Sequence, residues 1–321
     1  MRSLREQIEA NKRASFFFVF VMLLLLGGLG AGISGLYAPK YWPYAAGGAA
    51  LLGLFSGLMA RFFGAGMMLS IAGARECTHE EYQVLDNVVQ EMAIAGGIPI
   101  PKAYVVDDPS PNAFATGMDP KHGVICVTTG LLRKLDRDEL QGVIAHEMSH
   151  IRNYDIRFMS MVAVIAGLIP MLADFFRMSA WGGGRRRSDD GEGGGILIVI
   201  GIILAILAPM FAFLLQLAVS RKREYMADAS GAQLTRNPEA LARALVRLEE
   251  DPEPLINQNR GMQHMYIVNP LRVNLSSMLD THPSTKDRVE ALMHLRGMYS
   301  NLQQEVQRPG LPNLPTPPPQ L

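Results

Sequence analysis

The stretch Gln141-Gly-Val-Ile-Ala-His146-Glu147-Met-Ser-His150 carries an H-E-x-x-H arrangement on a segment patterned as a helix. His146 and His150 stand four residues apart and share a helix face, so both imidazoles can address one ion. Glu147 is offset by one position, where a carboxylate can take a proton from water held beside that ion. The competing reading is a pair of structural histidines. A catalytic metal needs a third protein ligand and an open coordination position. Downstream, Ser220-Arg-Lys-Arg-Glu224-Tyr-Met-Ala-Asp228 offers two carboxylates, again four residues apart. One can bind the metal while the other accepts a hydrogen bond from a ligand imidazole and fixes its tautomer. Spacing alone leaves open which does which, and an exposed helix face is the plainer alternative.

The elements that must position these groups are readable around them. Asp136, with Glu139 three residues on, predicts a capped helix running through His150. Glu80 to Ala95 has helical periodicity, with Val84, Val88, Met92 and Ala95 on one side. Leu217 to Leu234 and Pro238 to Glu250 also read as helices. Ala103–Val106, Ala113–Thr116 and Val124–Thr128 read as short strands separated by Asp/Pro/Asn turn chemistry. The expected fold is mainly α with a small antiparallel sheet.

Four apolar runs break up this soluble-looking sequence, and each helical span of a bilayer needs about 20 residues. The organisation they predict is a cytoplasmic N-terminus at 1–15, transmembrane helix 1 at 16–36 and transmembrane helix 2 at 43–64. The first part of a catalytic domain follows at 73–157, then a hydrophobic helix at 158–177, a flexible glycine-rich loop at 178–194 and a transmembrane helix at 195–219. The second part of the catalytic domain occupies 220–300, and a proline-rich tail at 301–321 is expected to be disordered. His150 and Glu224 must lie on one side of the membrane to share a metal, so the two apolar runs between them cross twice or not at all. Arg2, Arg5, Lys12 and Arg13 place the N-terminus and the site in the cytoplasm by the positive-inside rule. Arg185, Arg186 and Arg187 in the loop argue the other way.

The 321 residues carry a formal net charge of zero, which gives no reason to expect a nucleic-acid partner. Two cysteines, Cys77 and Cys126, are too few for a disulfide framework or a cysteine-type zinc site.

Four stretches together resemble the HtpX family of membrane-bound zinc endopeptidases: Pro111-Asn-Ala-Phe-Ala-Thr-Gly117, His146-Glu-Met-Ser-His150, Ser220-Arg-Lys-Arg-Glu-Tyr-Met-Ala-Asp228 and Thr281-His-Pro-Ser-Thr-Lys-Asp-Arg288. The resemblance implies a zincin-like metalloprotease domain with one Zn2+ held by His146, His150 and Glu224. It implies Glu147 as general base and Asp228 as the residue that orients a ligand histidine. It also implies that Asn112 touches the substrate backbone and that His282 and Arg288 lie near the substrate site; the residue type gives His282 two readings, an exposed loop histidine or a group that stabilises the oxyanion. Polypeptides are the implied substrates, misfolded membrane proteins among them, with the bilayer itself as a partner. Two competing readings are an intramembrane zinc protease and a non-enzymatic membrane protein with a structural zinc. Arg133, Lys134, Asp136, Arg137, Arg152 and Asp155 are too polar a surrounding for the first. A structural site would want a fourth protein ligand, and the sequence presents none.

Overall fold

The computed structural model describes residues 39–161, 221–256, 265–268 and 283–306, and, of the N-terminal segment, residues 6, 8–13, 15–17, 20, 27 and 31. The expected loop at 178–194 and apolar helix at 195–219 lie outside the described residues, as do most of 16–36 and 158–177 and the tail beyond 306. The described chain is mainly helical with one small sheet.

The sheet has four strands: β1 (Ala74–Glu76), β2 (Lys102–Val106), β3 (Ala113–Thr116) and β4 (Val124–Thr128), in the order β1-β2-β4-β3. It is mixed rather than antiparallel, which corrects the sequence expectation: β2 and β4 run parallel, while β1–β2 and β3–β4 are antiparallel. The cause lies in β4. All five of its residues are buried, and a strand apolar on both faces belongs inside a sheet. The loop after β2 therefore carries β3 to the outer edge, and β4 returns between them. β1 is three residues long and has no alternation that would announce it.

Strand periodicity divides the core into two layers. Val105, Ala113, Ala115, Ile125 and Val127 face a cluster built with α2 (Gln83–Gly96) and the central helix α4 (Arg137–Arg152). Val106, Phe114, Val124 and Cys126 face the opposite side, against Met68, Leu69, Ala72, Leu255, Met265 and Tyr266. On α2 the buried stripe is Leu85, Val88, Val89, Met92, Ala93 and Gly96. Val88 and Met92 of the expected face are buried, while Val84 and Ala95 at its two ends are exposed and Leu85 and Gly96 are buried in their place. Both stripes satisfy helical spacing, and only the sheet decides between them.

The long helix α1 (Trp42–Ala72) contains the expected span 43–64. It bends by 66° between Trp42–Met59 and Arg61–Ala72. Among the described residues no single helix is long and apolar enough to cross a membrane, though this bent pair together meets the length and composition. Leu51, Leu54, Phe55, Phe62 and Phe63 stand exposed along it. Its last turn is buried against the sheet, and Gly73 closes it in the left-handed conformation (φ 68°), where glycine is unstrained. A short helix α3 (Thr129–Lys134) follows β4, and α5 (Arg221–Thr235), α6 (Pro238–Glu250) and α7 (Thr285–Val306) complete the fold around α4.

Candidate metal centre

Helix α4 starts as its sequence predicts. The Asp136 carboxylate accepts from the Glu139 backbone N–H (2.9 Å), and Glu139 returns a bond to the Asp136 N–H (3.1 Å). Glu139 is fully buried and is balanced by Arg243 and Arg247 of α6, at 3.4 and 3.2 Å. That network fixes the entry of the helix. His146, Glu147 and His150, all buried, lie two to three turns further on.

Helix α5 delivers the carboxylates. Gly231 lies so close to α4 that a Cβ there would meet the His146 backbone N at 3.0 Å. A side chain at this crossing would hold the helices apart. Asp228 and Glu224 precede Gly231 by three and seven residues, one and two turns along the same face. They therefore meet the His146–His150 face by construction.

One potential ligand atom from each of His146, His150 and Glu224 lies within 4.8 Å of the others. His146 Nε2 is 3.8 Å from Glu224 Oε2, and His150 Nε2 is 3.6 Å from Glu224 Oε1. The two Nε2 atoms are 3.3 Å apart. Each imidazole turns its Nδ1 to a buried carboxylate: His146 to Asp228 Oδ1 at 2.9 Å, and His150 to Asp155 Oδ2 at 3.2 Å. An Nδ1 that donates to a carboxylate leaves Nε2 bare in the neutral ring. Two bare lone pairs and a carboxylate then converge on one point, an arrangement that calls for a cation. The donor set, two imidazoles and one carboxylate, fits a zinc-type metal.

The titration of the groups agrees. Burial disfavours the charged form of His150, but its bond to Asp155 and the charges of Glu224, Asp155 and Glu147 outweigh this and push it up to about 9. Burial holds His146 below its usual value despite Asp228. Burial pushes Glu147 up to about 7, although His150, Arg288 and a hydrogen bond from the Ala115 backbone act against it. Burial would raise Asp228 too, but the charge and bonds of Arg288 hold it below the carboxylate range.

The other residues singled out in the sequence are placed as follows. Arg288 is 1% exposed and grips Asp228 with two bonds; its Nη1 donates to the Ile267 carbonyl at 2.9 Å. Asn112 is buried, with Nδ2 donating to the Val268 carbonyl (3.1 Å) and Oδ1 accepting from the Ala113 N–H (3.0 Å). His282 lies outside the described residues. The sequence reading missed Asp155 as a partner of His150. The signal available was an acid five residues past His150, just beyond the helix end.

Buried imidazoles on two carboxylates, with a third carboxylate closing the donor set and Glu147 beside it, define a metallohydrolase-type centre. Residues 79–296 match the family described as Peptidase family M48. A protein named "Protease HtpX homolog" from Dictyoglomus thermophilum is 45% identical over 300 residues, covering 94% of this chain and 97% of its own. Proteins of the same name from Caldanaerobacter subterraneus subsp. tengcongensis and Listeria monocytogenes serovar 1/2a are 42% and 41% identical, covering 92% and 90% of this chain and 98% and 99% of their own. The crystal structure of S. mikatae Ste24p aligns with a TM-score of 0.48 at 20% identity, over 87% of this chain and 62% of that one. The chain belongs to peptidase family M48, in its HtpX group, and is a metallopeptidase.

Proposed function

We propose that this chain is a membrane-bound zinc endopeptidase that cleaves membrane proteins, misfolded ones among them, at the cytoplasmic face. The observation that carries the reading is the convergence of His146, His150 and Glu224, with Glu147 buried next to them and reaching the backbone of edge strand β3. The bent apolar helix α1 supports the membrane attachment, and Arg2, Arg5, Lys12 and Arg13 support the cytoplasmic orientation. The apolar segments 16–36, 43–64, 158–177 and 195–219 would supply the attachment, with 73–157 and 220–300 forming the catalytic domain.

His146, His150 and Glu224 would hold the ion, which when bound polarises the peptide carbonyl and acidifies water. Glu147 acts as general base: its carboxylate, raised to about 7, takes a proton near neutral pH and returns it to the leaving amine. Asp228 and Asp155 hold the two imidazoles with Nε2 turned inward. Arg288 spends Nε and one N–H of Nη2 on Asp228 and one N–H of Nη1 on the Ile267 carbonyl, so its role in this reading is positional. Asn112 pins the Met265–Val268 stretch in the same way. His282 is retained as the oxyanion group. β3 is an edge strand, and the Ala113 carbonyl already accepts the Ile267 N–H at 3.0 Å. A substrate strand pairing there has to displace or extend that stretch.

The test is cleavage of an unfolded protein by the detergent-purified chain, stripped with a chelator and resupplied with zinc. Wild type should regain activity, and Glu147→Gln should bind zinc yet cleave about 10²- to 10⁴-fold more slowly. Equal cleavage by the two would remove Glu147 as the base.

A further inference from the structure

The two histidine–carboxylate pairs are anchored differently. Asp228 is held from within the catalytic fold by Arg288. Asp155 is held in addition from outside it. Its Oδ1 accepts a 2.7 Å bond from Asn11 Nδ2, on the helical stretch 8–13 that precedes the first apolar run. The same Nδ2 also donates to the Asn153 carbonyl at 2.8 Å. Arg223, the residue before Glu224, stands 3.9 Å from Asp155 Oδ1. Asp155 itself is 2% exposed.

The local backbone is built to make this meeting possible. Helix α4 ends at Arg152, with Asn153 as its cap. Tyr154 then takes a left-handed conformation at φ 61°, which a bulky side chain adopts only when its surroundings enforce it. That single residue reverses the chain so that Asp155 returns beneath His150. The Tyr154 ring is covered by Lys12 of the N-terminal stretch at 5.0 Å and by Arg157 at 5.4 Å. Asn11 and Lys12 thus dock on one two-residue turn, one on its carboxylate and one on its ring.

We propose that Asn11 and Asp155 form a positioning relay for His150, through which the N-terminal helix contributes to the metal affinity of the centre. Asp155 fixes the imidazole with its proton on Nδ1, leaving Nε2 for the ion. Asn11, able only to donate through Nδ2, fixes which oxygen of Asp155 is left for His150. A segment leading into a membrane run is thereby tied to the catalytic ion, and withdrawing it loosens a ligand. The inference rests on His146, His150 and Glu224 being metal ligands.

The experiment uses the full chain in detergent, stripped of metal, with zinc affinity measured by competition against a chromophoric chelator. Wild type, Asp155→Asn, Asn11→Ala and the double variant are compared. Asp155→Asn should weaken zinc binding by about 10- to 100-fold. Asn11→Ala should weaken it several-fold, and in the Asp155→Asn background it should add nothing, because its path runs through that carboxylate. Unchanged affinity in both single variants overturns the relay, as does an additive double variant. A purely structural role would lower the melting temperature of the metal-free chain and leave affinity alone, which also overturns it. If Asp155→Asn does not fold, Asn11→Ala decides, since its position is only half-buried. A wild-type chain that takes up no zinc removes the metal reading itself, a result distinct from wild-type affinity in the variants.

Discussion

Arg288 and Asp228 meet fork to fork: Nε stands 2.8 Å from Oδ2 and Nη2 stands 2.7 Å from Oδ1. Both are buried, and Asp228 also receives His146 Nδ1 at 2.9 Å. The guanidinium therefore sets the carboxylate, and the carboxylate sets the ring. Removing one member of such a buried pair leaves the other charge uncompensated, at a cost of about 3–5 kcal/mol. Arg288→Met should therefore lose roughly that much stability in denaturant unfolding, together with most cleavage activity. Arg288→Lys keeps the charge but offers one point donor for two oxygens, so it should fall between. A Lys variant with wild-type stability and turnover would show that the fork geometry is not needed.

The stabilisation that His150 and Glu147 give the fold should decline as pH rises, while His146, held low by burial, acts the other way only up to about its unfolded value of 6.5. His150 is raised from 6.5 to about 9, and Glu147 from 4.5 to about 7, in both cases with burial opposing the charged form. A group raised in the folded state binds protons there more tightly than in the unfolded chain. Its contribution is therefore complete below the unfolded value and disappears as pH climbs through the folded one. Glu147 loses its share between about pH 4.5 and 7, His150 between 6.5 and about 9. Zinc held by His150 should reverse the trend, because it would displace the His150 proton and bind about tenfold more tightly per pH unit for each proton released. Calorimetry at pH 7.5 and 9, where His146 is neutral in both states, should show a melting temperature that falls without metal, while the gap between zinc-loaded and stripped protein widens. A metal-free melting temperature that rises over this range would contradict the assignment of these two groups.

The cluster is legible in sequence because its spacings are local. His146–His150 and Glu224–Asp228 are each four residues apart, and a helix converts that interval into a shared face without help from the rest of the fold. The capping box at Asp136 and Glu139 is legible for the same reason. What requires long-range contact is not. The parallel pairing of β2 with β4 depends on which strand is buried on both faces. On α2 the expected Val88 and Met92 are buried, but the edge of the stripe falls at Leu85 rather than Val84, because the two are equally apolar and only the sheet distinguishes them. Asn11 meets Asp155 across 144 positions, and neither residue carries a pattern that points to the other. The bond of Arg288 to Asp228, 60 positions away, is equally invisible in the local pattern.

Gly231 and Gly142 separate the position of the metal ligands from the stability of the helical layer. In a helix interior Gly→Ala gains about 1 kcal/mol from propensity alone. At Gly231 that gain meets the backbone of His146, with N at 3.0 Å and Cα at 3.2 Å from the added methyl. At Gly142 the methyl meets Leu241 of α6, with N at 2.9 Å and Cα at 3.0 Å. Backbone atoms cannot rotate aside, so overpacking of about 1–3 kcal/mol should win at both positions. Both variants should unfold at lower denaturant concentration. Only Gly231→Ala moves α5, the helix that carries Glu224 and Asp228, away from His146 and His150. Zinc affinity should therefore drop in Gly231→Ala and stay near wild type in Gly142→Ala. Equal losses of affinity would mean that the ligands respond to the stability of the whole layer, and the α4–α5 crossing would have no special part in placing Glu224.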